Sequence, residues 1–260
     1  QTALVSLMLG RLSTSQATAH VLNTTLLAAC QKGQAACALL LIEAGAQPGI
    51  ELVDCSGMPI LCSTCFAGQL DCAMLLLDHS ADINAGGATG GPLVCASQTA
   101  GQTGNTQLVR ALLARGARVN SARVDGITGI VIACAAGSLE CVKLLSSYGA
   151  RRIMPRIAEG VSDGEWDAVE CAEEHGHPAV AKWLRATADW TPLHHVEQLD
   201  DQRVEELTRS GGCVHAPVAL ASDVYVTPFT RALKLLSSPR KQPVPVRKAA
   251  ALIVTAGRSW

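Results

Sequence analysis

Aromatic side chains are scarce in this 260-residue chain, at 3%, and charged ones reach only 17%. A core built on large rings is therefore excluded. Packing must come from small and aliphatic side chains, since hydrophobic residues still make up 48% of the chain. The 21 Lys and Arg nearly balance the 22 Asp and Glu, and a formal charge of −1 gives no electrostatic ground for binding nucleic acid. No run of about eighteen apolar residues occurs, so no membrane-spanning helix is expected. Histidines and acids are scattered without a spacing that would converge on a nucleophile, so no catalytic residues and no cofactor are expected.

What is present is a repeat. Glycines recur twelve residues apart as Gly33 and Gly45, Gly104 and Gly116, and Gly137 and Gly149; Gly68 is followed at the same distance by Ser80. Alanine follows each second member (Ala46, Ala81, Ala117, Ala150), and successive units are offset by 35, 36 and 33 residues. A period in this range marks a stacked repeat protein. Between the paired positions lie segments apolar at helical spacing, residues 37–42, 72–77, 108–113 and 141–145, each expected to be a short helix buried on several sides. Before each first glycine come residues 26–30, 61–65, 93–97 and 130–134, whose small side chains let a second helix approach closely. Helices this short are marginal alone in water, so neighbouring copies must stabilise one another. The second glycine suits a left-handed helix stop. The stretches after it, such as 81–84 and 117–120, read as extended. The unit is helix, tight turn, helix and an extended finger.

These residues resemble the ankyrin repeat, whose pattern runs D-x-x-G-x-T-P-L-H-x-A-A-x-x-G and then V-x-x-L-L-L-x-x-G-A-D-V-N. The matching positions include Asp54 and Gly57, the run Thr191-Pro192-Leu193-His194, and Leu75-Leu76-Leu77 followed by Ser80-Ala81-Asp82-Ile83-Asn84. The resemblance covers residues 23–260. It divides the chain into a lead at 1–22 (a remnant of a preceding repeat, or disordered), four well-matched repeats at 23–152, and two to three divergent ones at 153–260 with an insertion at 237–248. A fifth unit fits 166–187, a sixth opens at Thr191 and ends near Gly211, and a seventh opens at Thr227-Pro228-Phe229 and resumes at 249–257. Leu27, Cys62, Val94 and Val131 occupy the histidine position of the first four units, which are expected to lean on apolar packing. Extra residues around 98–103 are expected to lengthen the third inter-helix turn.

The resemblance implies an all-α solenoid of stacked helix-turn-helix units with short β-hairpin or extended fingers. It also implies a non-catalytic scaffold for protein–protein interaction, binding on the concave face made by finger tips and first-helix surfaces. On this chain the tips carry Glu51, Asp54, Ser56, Arg123 and Asp125, with residues 86–89 as a further tip. The first helices carry Gln31, Lys32, Phe66 and Gln98, with Phe66 as the natural hydrophobic anchor if it is exposed. A protein partner, no nucleic acid, no membrane, a monomeric state and an intracellular, cytoplasmic setting are expected. An alternative is a targeting or adaptor segment of a larger multidomain enzyme or ubiquitin-ligase component. The start at Gln1 and the stop at Trp260 straight after a helical stretch make a fragment or a trimmed gene model the expectation. A signal-peptide stub at residues 3–10 is the lesser reading.

Eleven cysteines invite a disulfide or zinc reading. Position argues otherwise. Cys30 and Cys37, Cys65 and Cys72, and Cys134 and Cys141 are each seven apart and hold the same two places in their repeats, between helices, where free cysteine behaves as a small hydrophobe. An odd total with no visible export signal fits a reducing compartment. Cys62 and Cys65 form the sole C-x-x-C. A zinc or redox role there is the second alternative, but no second pair follows at ligand spacing, and no metal is expected. Residues 173–177 (E-E-H-G-H) fall at an ordinary inter-helix turn. The glycines of 86–91 match neither a dinucleotide nor a phosphate-loop spacing and read as a flexible hairpin. Asn23-Thr24-Thr25 is a formal glycosylation sequon that opens a helix. Residues 239–248, with prolines and four cations, read as a solvated loop.

Overall fold

The computed structural model describes residues 16–49, 53–54, 56–158, 161–212, 218–219, 225–236 and 244–258. Glu51, the lead before Gln16 and most of the 237–248 insertion lie outside the described residues. Four helix pairs follow the period: α1 (Gln16–Gln31) with α2 (Ala35–Glu43), α3 (Ile60–Phe66) with α4 (Leu70–Asp78), α5 (Pro92–Thr103) with α6 (Gln107–Ala114), and α7 (Gly129–Ala135) with α8 (Leu139–Ser147). A two-stranded antiparallel sheet, β1 (Ile153–Ala158) and β2 (Val161–Asp167), leads into a fifth pair, α9 (Ala168–Glu174) and α10 (Pro178–Ala186). A 3-10 turn Pro192–His194 and α11 (Asp201–Arg209) follow. The short strands β3 (Val218–Ala219) and β4 (Tyr225–Val226) precede α12 (Pro228–Leu236) and α13 (Val244–Arg258). The fold is a mostly helical ankyrin-type solenoid.

The local chemistry explains the period. Each helix pair turns where a glycine takes a left-handed conformation, and in every pair but α5–α6, where the Asn105 amide bonds the Thr103 hydroxyl instead, the amide after it reaches back to the last helical turn. Gln34 N–H donates to the Ala29 carbonyl, Gln69 to Thr64, Ser138 to Ala133 and His177 to Ala172, at 2.7 to 3.1 Å. The second helices end alike: the alanine amides Ala46, Ala81, Ala117 and Ala150 donate to Leu41, Leu76, Leu112 and Leu145. These bonds satisfy carbonyls that a helix end otherwise leaves without partners. First helices stack on first helices, α3 against α5, α5 against α7 and α7 against α9, while α2 packs on α4 and α8 on α10. Buried alanines (Ala38, Ala73, Ala133, Ala172) permit the close approach, and Leu61, Leu76, Leu112, Ile130 and Leu184 fill the space between.

One apolar cluster runs from Leu22 to Leu184, and a second joins Leu193, Val196, Leu199 and Val204 to Ala232 and Ile253. The sixth unit differs from its expectation. Its opening helix is a single 3-10 turn, continued by turns in which Gln198 N–H donates to His195 and Leu199 to Val196. Leu193, Val196 and Leu199 are all buried. That spacing of three faces one side in a 3-10 path and would drift around an α-helix.

Other expectations are corrected. Helix α1 begins at Gln16, inside the expected lead, and Asn23 lies within it rather than at its opening. Residues 98–103 do not lengthen a turn; they extend α5. The loop reading of 239–248 fails at its end, because α13 begins at Val244 with Pro245 in its first turn, where a missing amide hydrogen costs nothing. Residues 87–89 form a 3-10 turn rather than a flexible hairpin. Leu39 is 39% exposed, so α2 is not buried all round.

Candidate functional site

Phe66 is the last residue of α3, and it is 48% exposed although every earlier residue of that helix is buried. Its backbone is held in place: the Thr99 hydroxyl on α5 donates to the Phe66 carbonyl at 2.8 Å, tying neighbouring first helices together. Beside it lies a cavity of about 240 Å³, whose wall takes Met58 and Phe66 from the second unit, Thr89 and Val94 from the third, and Gln98 from the same α5 face. Arg123 reaches it from the next finger.

That finger is a true hairpin. Ala122 pairs with Thr128, Arg123 N–H donates to the Ile127 carbonyl at 2.8 Å, and the Asp125 carboxylate accepts the Ile127 N–H at 3.1 Å. The Arg123 guanidinium pairs with Asp125 at 3.3 Å. Gly126 takes a positive φ of 84°, and a side chain there would strike the Pro155 carbonyl of β1. Trp166 on β2 donates its indole N–H to the Asp125 carbonyl at 3.0 Å. The β1–β2 ribbon therefore buttresses the finger that carries Arg123.

Two thiols sit at the base. Cys62 lies on α3 and Cys95 on α5, and the Cys62 thiol donates to the Ala85 carbonyl at 3.1 Å. Its thiol thus makes a finger contact from the histidine position of the repeat. The neighbouring Cys95 thiol, then burial, pushes the Cys62 thiol up. Cys95 is shifted the other way: the neighbouring Cys62 thiol lowers it against burial, and the Thr89 hydroxyl and the Arg123 charge add to the lowering. Cys95 lines the cavity. The C-x-x-C reading fares differently. Burial drives the Cys65 thiol well above its ordinary value, and the Cys62 thiol is bonded to the Ala85 carbonyl rather than to the sulfur three residues on. Among the described residues no group of three or more His, Cys, Asp or Glu is placed to hold a metal.

Of the residues expected at the site, Phe66, Gln98 and Arg123 meet at this cavity. Asp125 braces Arg123 from behind. Asp54 and Ser56 hold their own turn instead: the Asp54 carboxylate accepts the Ser56 and Met58 amides and the Ser56 hydroxyl. Partial burial would raise the Asp54 carboxyl, but these bonds outweigh it and leave it below the usual carboxylate range. Gln31 ends α1 and Lys32 opens the turn after it, half-buried and exposed respectively, and neither lines this cavity. Thr89, in the expected tip at residues 86–89, also lines the cavity, whereas Met58 and Cys95 were not anticipated.

A second cavity, of about 250 Å³, went unanticipated altogether. Trp183, Trp190 and His195 line it together with Lys143, Glu197 and Arg231. Arg231 stacks over the Trp190 ring at 4.3 Å and also pairs with Glu197. His195 is pulled down to about 3, by burial first and then by the Arg152, Arg231 and His194 charges. Its aromatic rings are already covered by the protein's own arginines, since Arg152 lies over Trp183 as well.

A family model described as ankyrin repeats (3 copies) matches residues 2–87 and 93–192, more than half of the chain. No protein with a curated description matches it. Among the described residues no helix is long and apolar enough to cross a membrane.

Proposed function

The chain belongs to the ankyrin-repeat family, and from that premise we propose that it is a non-catalytic scaffold that holds a partner protein at the cavity framed by Phe66, Gln98 and Arg123. Ankyrin repeats are generally protein-interaction modules. The observation that carries the finer reading is Phe66 itself, one of only two phenylalanines in the chain, standing half in solvent beside an apolar recess with an arginine at its edge. Aromatic residues, methionine and arginine are the types enriched where proteins grip one another. The partner segment that suits this wall carries an apolar side chain to cover Phe66 and Met58 and an acceptor, carbonyl or carboxylate, for Arg123 and Gln98. The wall is preordered by the Thr99 tie and the braced finger, so binding costs little ordering entropy. Lys32 and Ser56, both exposed, extend the same kind of surface toward the first units. The nine described cysteines are all free and buried, which favours a reducing, intracellular setting.

Quantitative affinity capture tests this. Proteins retained by the native chain should be weakened at least about tenfold by Phe66→Asp and by Arg123→Glu, as at interface hot spots. The thermal midpoint should stay unchanged, and Lys182→Glu on the exposed side of α10 should leave capture intact. Retention of the same proteins by both site variants would remove the cavity from the account.

A further inference from the structure

We propose that the cavity of about 250 Å³ in the seam between the helix stack and the C-terminal segment binds a small monocarboxylate with an apolar body. The seam exists because the chain leaves the regular stack after α10. Its 3-10 turn at Pro192–His194 packs against α8 of the fourth unit. Arg110, on α6 of the third unit, donates to the backbone and side-chain carbonyls of Gln198, each at 3.1 Å. The apolar cluster around Leu193 and Ile253 stays separate from that of the stack. Two bodies therefore meet here, with Lys143 of α8 and Trp183 of α10 on one side of the space and Trp190, His195, Gln198 and Arg231 on the other. Ligand sites favour such junctions, and a volume under the roughly 300–1,000 Å³ of drug-sized sites calls for a small guest.

The polar groups at the wall choose the guest. Trp190 Nε1 and Arg231 Nε are N–H donors closed off from solvent, and neither has an acceptor among the described residues. The Arg231 guanidinium stacks on the Trp190 ring at 4.3 Å, which holds the two donors in one unit, while Glu197 engages Nη2 and leaves Nε. A buried N–H without an acceptor is costly, and a carboxylate, with two oxygens, answers both donors with charge-assisted bonds. The local field has the right sign. Burial first, then the Arg152, Arg231 and His194 charges, hold the His195 ring neutral, and no carboxylate opposes them. A cationic guest is refused, because Arg152 and Arg231 already stack on Trp183 and Trp190. Leu139 and the tryptophan rings give the wall an apolar part that inorganic phosphate would leave uncovered. No residue is shared with the Phe66 cavity, so the two sites stand or fall separately.

The full chain with isotope-labelled tryptophan provides the test, its indole N–H signals followed by NMR during titration with benzoate. The Trp190 and Trp183 signals should move and saturate with a Kd of about 10 mM or below, ordinary for a ligand of that size. The Trp166 indole, tied to the Asp125 carbonyl, should stay where it is. Benzamide keeps the ring and loses the charge, and benzylamine is a cation at neutral pH; both should bind at least about tenfold more weakly. Trp190→Phe keeps a ring and removes the N–H, so it should weaken benzoate about tenfold, read at Trp183, and Arg231→Gln should do the same. Should Arg231→Gln fail to fold, Trp190→Phe and the native chain's probe series still decide. No saturable movement at roughly 50 mM benzoate, benzamide as tight as benzoate, or undiminished binding by Trp190→Phe would each overturn the proposal. Tighter binding of a tripeptide ending in a free phenylalanine carboxylate would assign the seam to a protein C-terminus instead, and would overturn it as well.

Discussion

The side-chain carbonyl of Asn84 accepts the backbone N–H of Arg118, thirty-four residues on, at 2.9 Å. The next unit repeats the bond: Asn120 accepts the Arg151 N–H at 2.8 Å. Both asparagines sit four positions past the left-handed stop of their unit, and both bond the residue that follows the G-A pair of the next one. The bond is a lateral tie between successive fingers, made by side chain to backbone because the fingers are too short to pair as strands. Asn84→Ala leaves the Arg118 amide to water, and its exposed location keeps the cost modest. A loss of about 0.5–1.5 kcal/mol is expected, read as a lower urea midpoint with an unchanged slope. Asn84→Asp, which keeps the acceptor, should recover most of it.

Ser80 holds a φ of 70°, alone among the non-glycine residues described. Gly45, Gly116 and Gly149 take the same left-handed position in the other units. A side chain there costs about 1–2 kcal/mol, part of which glycine returns through its greater unfolded freedom. Ser80→Gly should therefore stabilise the chain by roughly 0.5–1 kcal/mol. Thermal unfolding checks it, and a lower midpoint for Ser80→Gly would show that the serine side chain makes a compensating contact.

The period, the helix pairs and the left-handed stops were legible because each is written in residue type: glycine or its substitute at a fixed offset, and leucine at helical spacing. What escaped was tertiary. The β1–β2 ribbon is stabilised by Trp166 bonding to Asp125 and Arg156 stacking on Trp166 at 5.0 Å, contacts that no local pattern announces. The 3-10 path after Thr191 was hidden because T-P-L-H reads as a helix start, while the spacing of Leu193, Val196 and Leu199 decides otherwise. At the site, Phe66, Gln98 and Arg123 were legible as exposed types on expected surfaces. Their meeting at one cavity with Cys95, and the bond of the Cys62 thiol to the Ala85 carbonyl of the finger, required coordinates.

Leu76 and Leu112 are fully buried at equivalent places in α4 and α6. Each carbonyl also accepts the amide of the alanine past the stop, Ala81 and Ala117. Truncation leaves that backbone bond intact and empties the space between helices, so the whole effect is packing. Leu76→Ala and Leu112→Ala should each cost about 2–5 kcal/mol. Chemical denaturation followed by circular dichroism measures it, and an unchanged midpoint for either would mean that the second helices do not pack as described.

His195 gives the protein a stability that depends on pH. Burial, then the Arg152, Arg231 and His194 charges, lower its pKa to about 3 in the folded chain, against about 6.5 when unfolded. The unfolded chain therefore takes up the proton first as pH falls. The contribution of neutral His195 is complete above about pH 6.5 and is lost progressively between that value and about 3, at up to roughly 1.4 kcal/mol per pH unit. Asp54 acts in the same sense, since its carboxyl is held below the usual range, but its loss comes only in the more acidic part of the window. The interval from about pH 6.5 to about 5 thus separates histidine titration from that of Asp54. Melting temperatures across that interval should fall more steeply for the native chain than for His195→Gln, which keeps a polar side chain but cannot titrate, while the other histidines remain in both proteins. Parallel slopes for the two proteins would mean that His195 protonates readily in the folded state and that the Trp183–Trp190 cavity admits its charge.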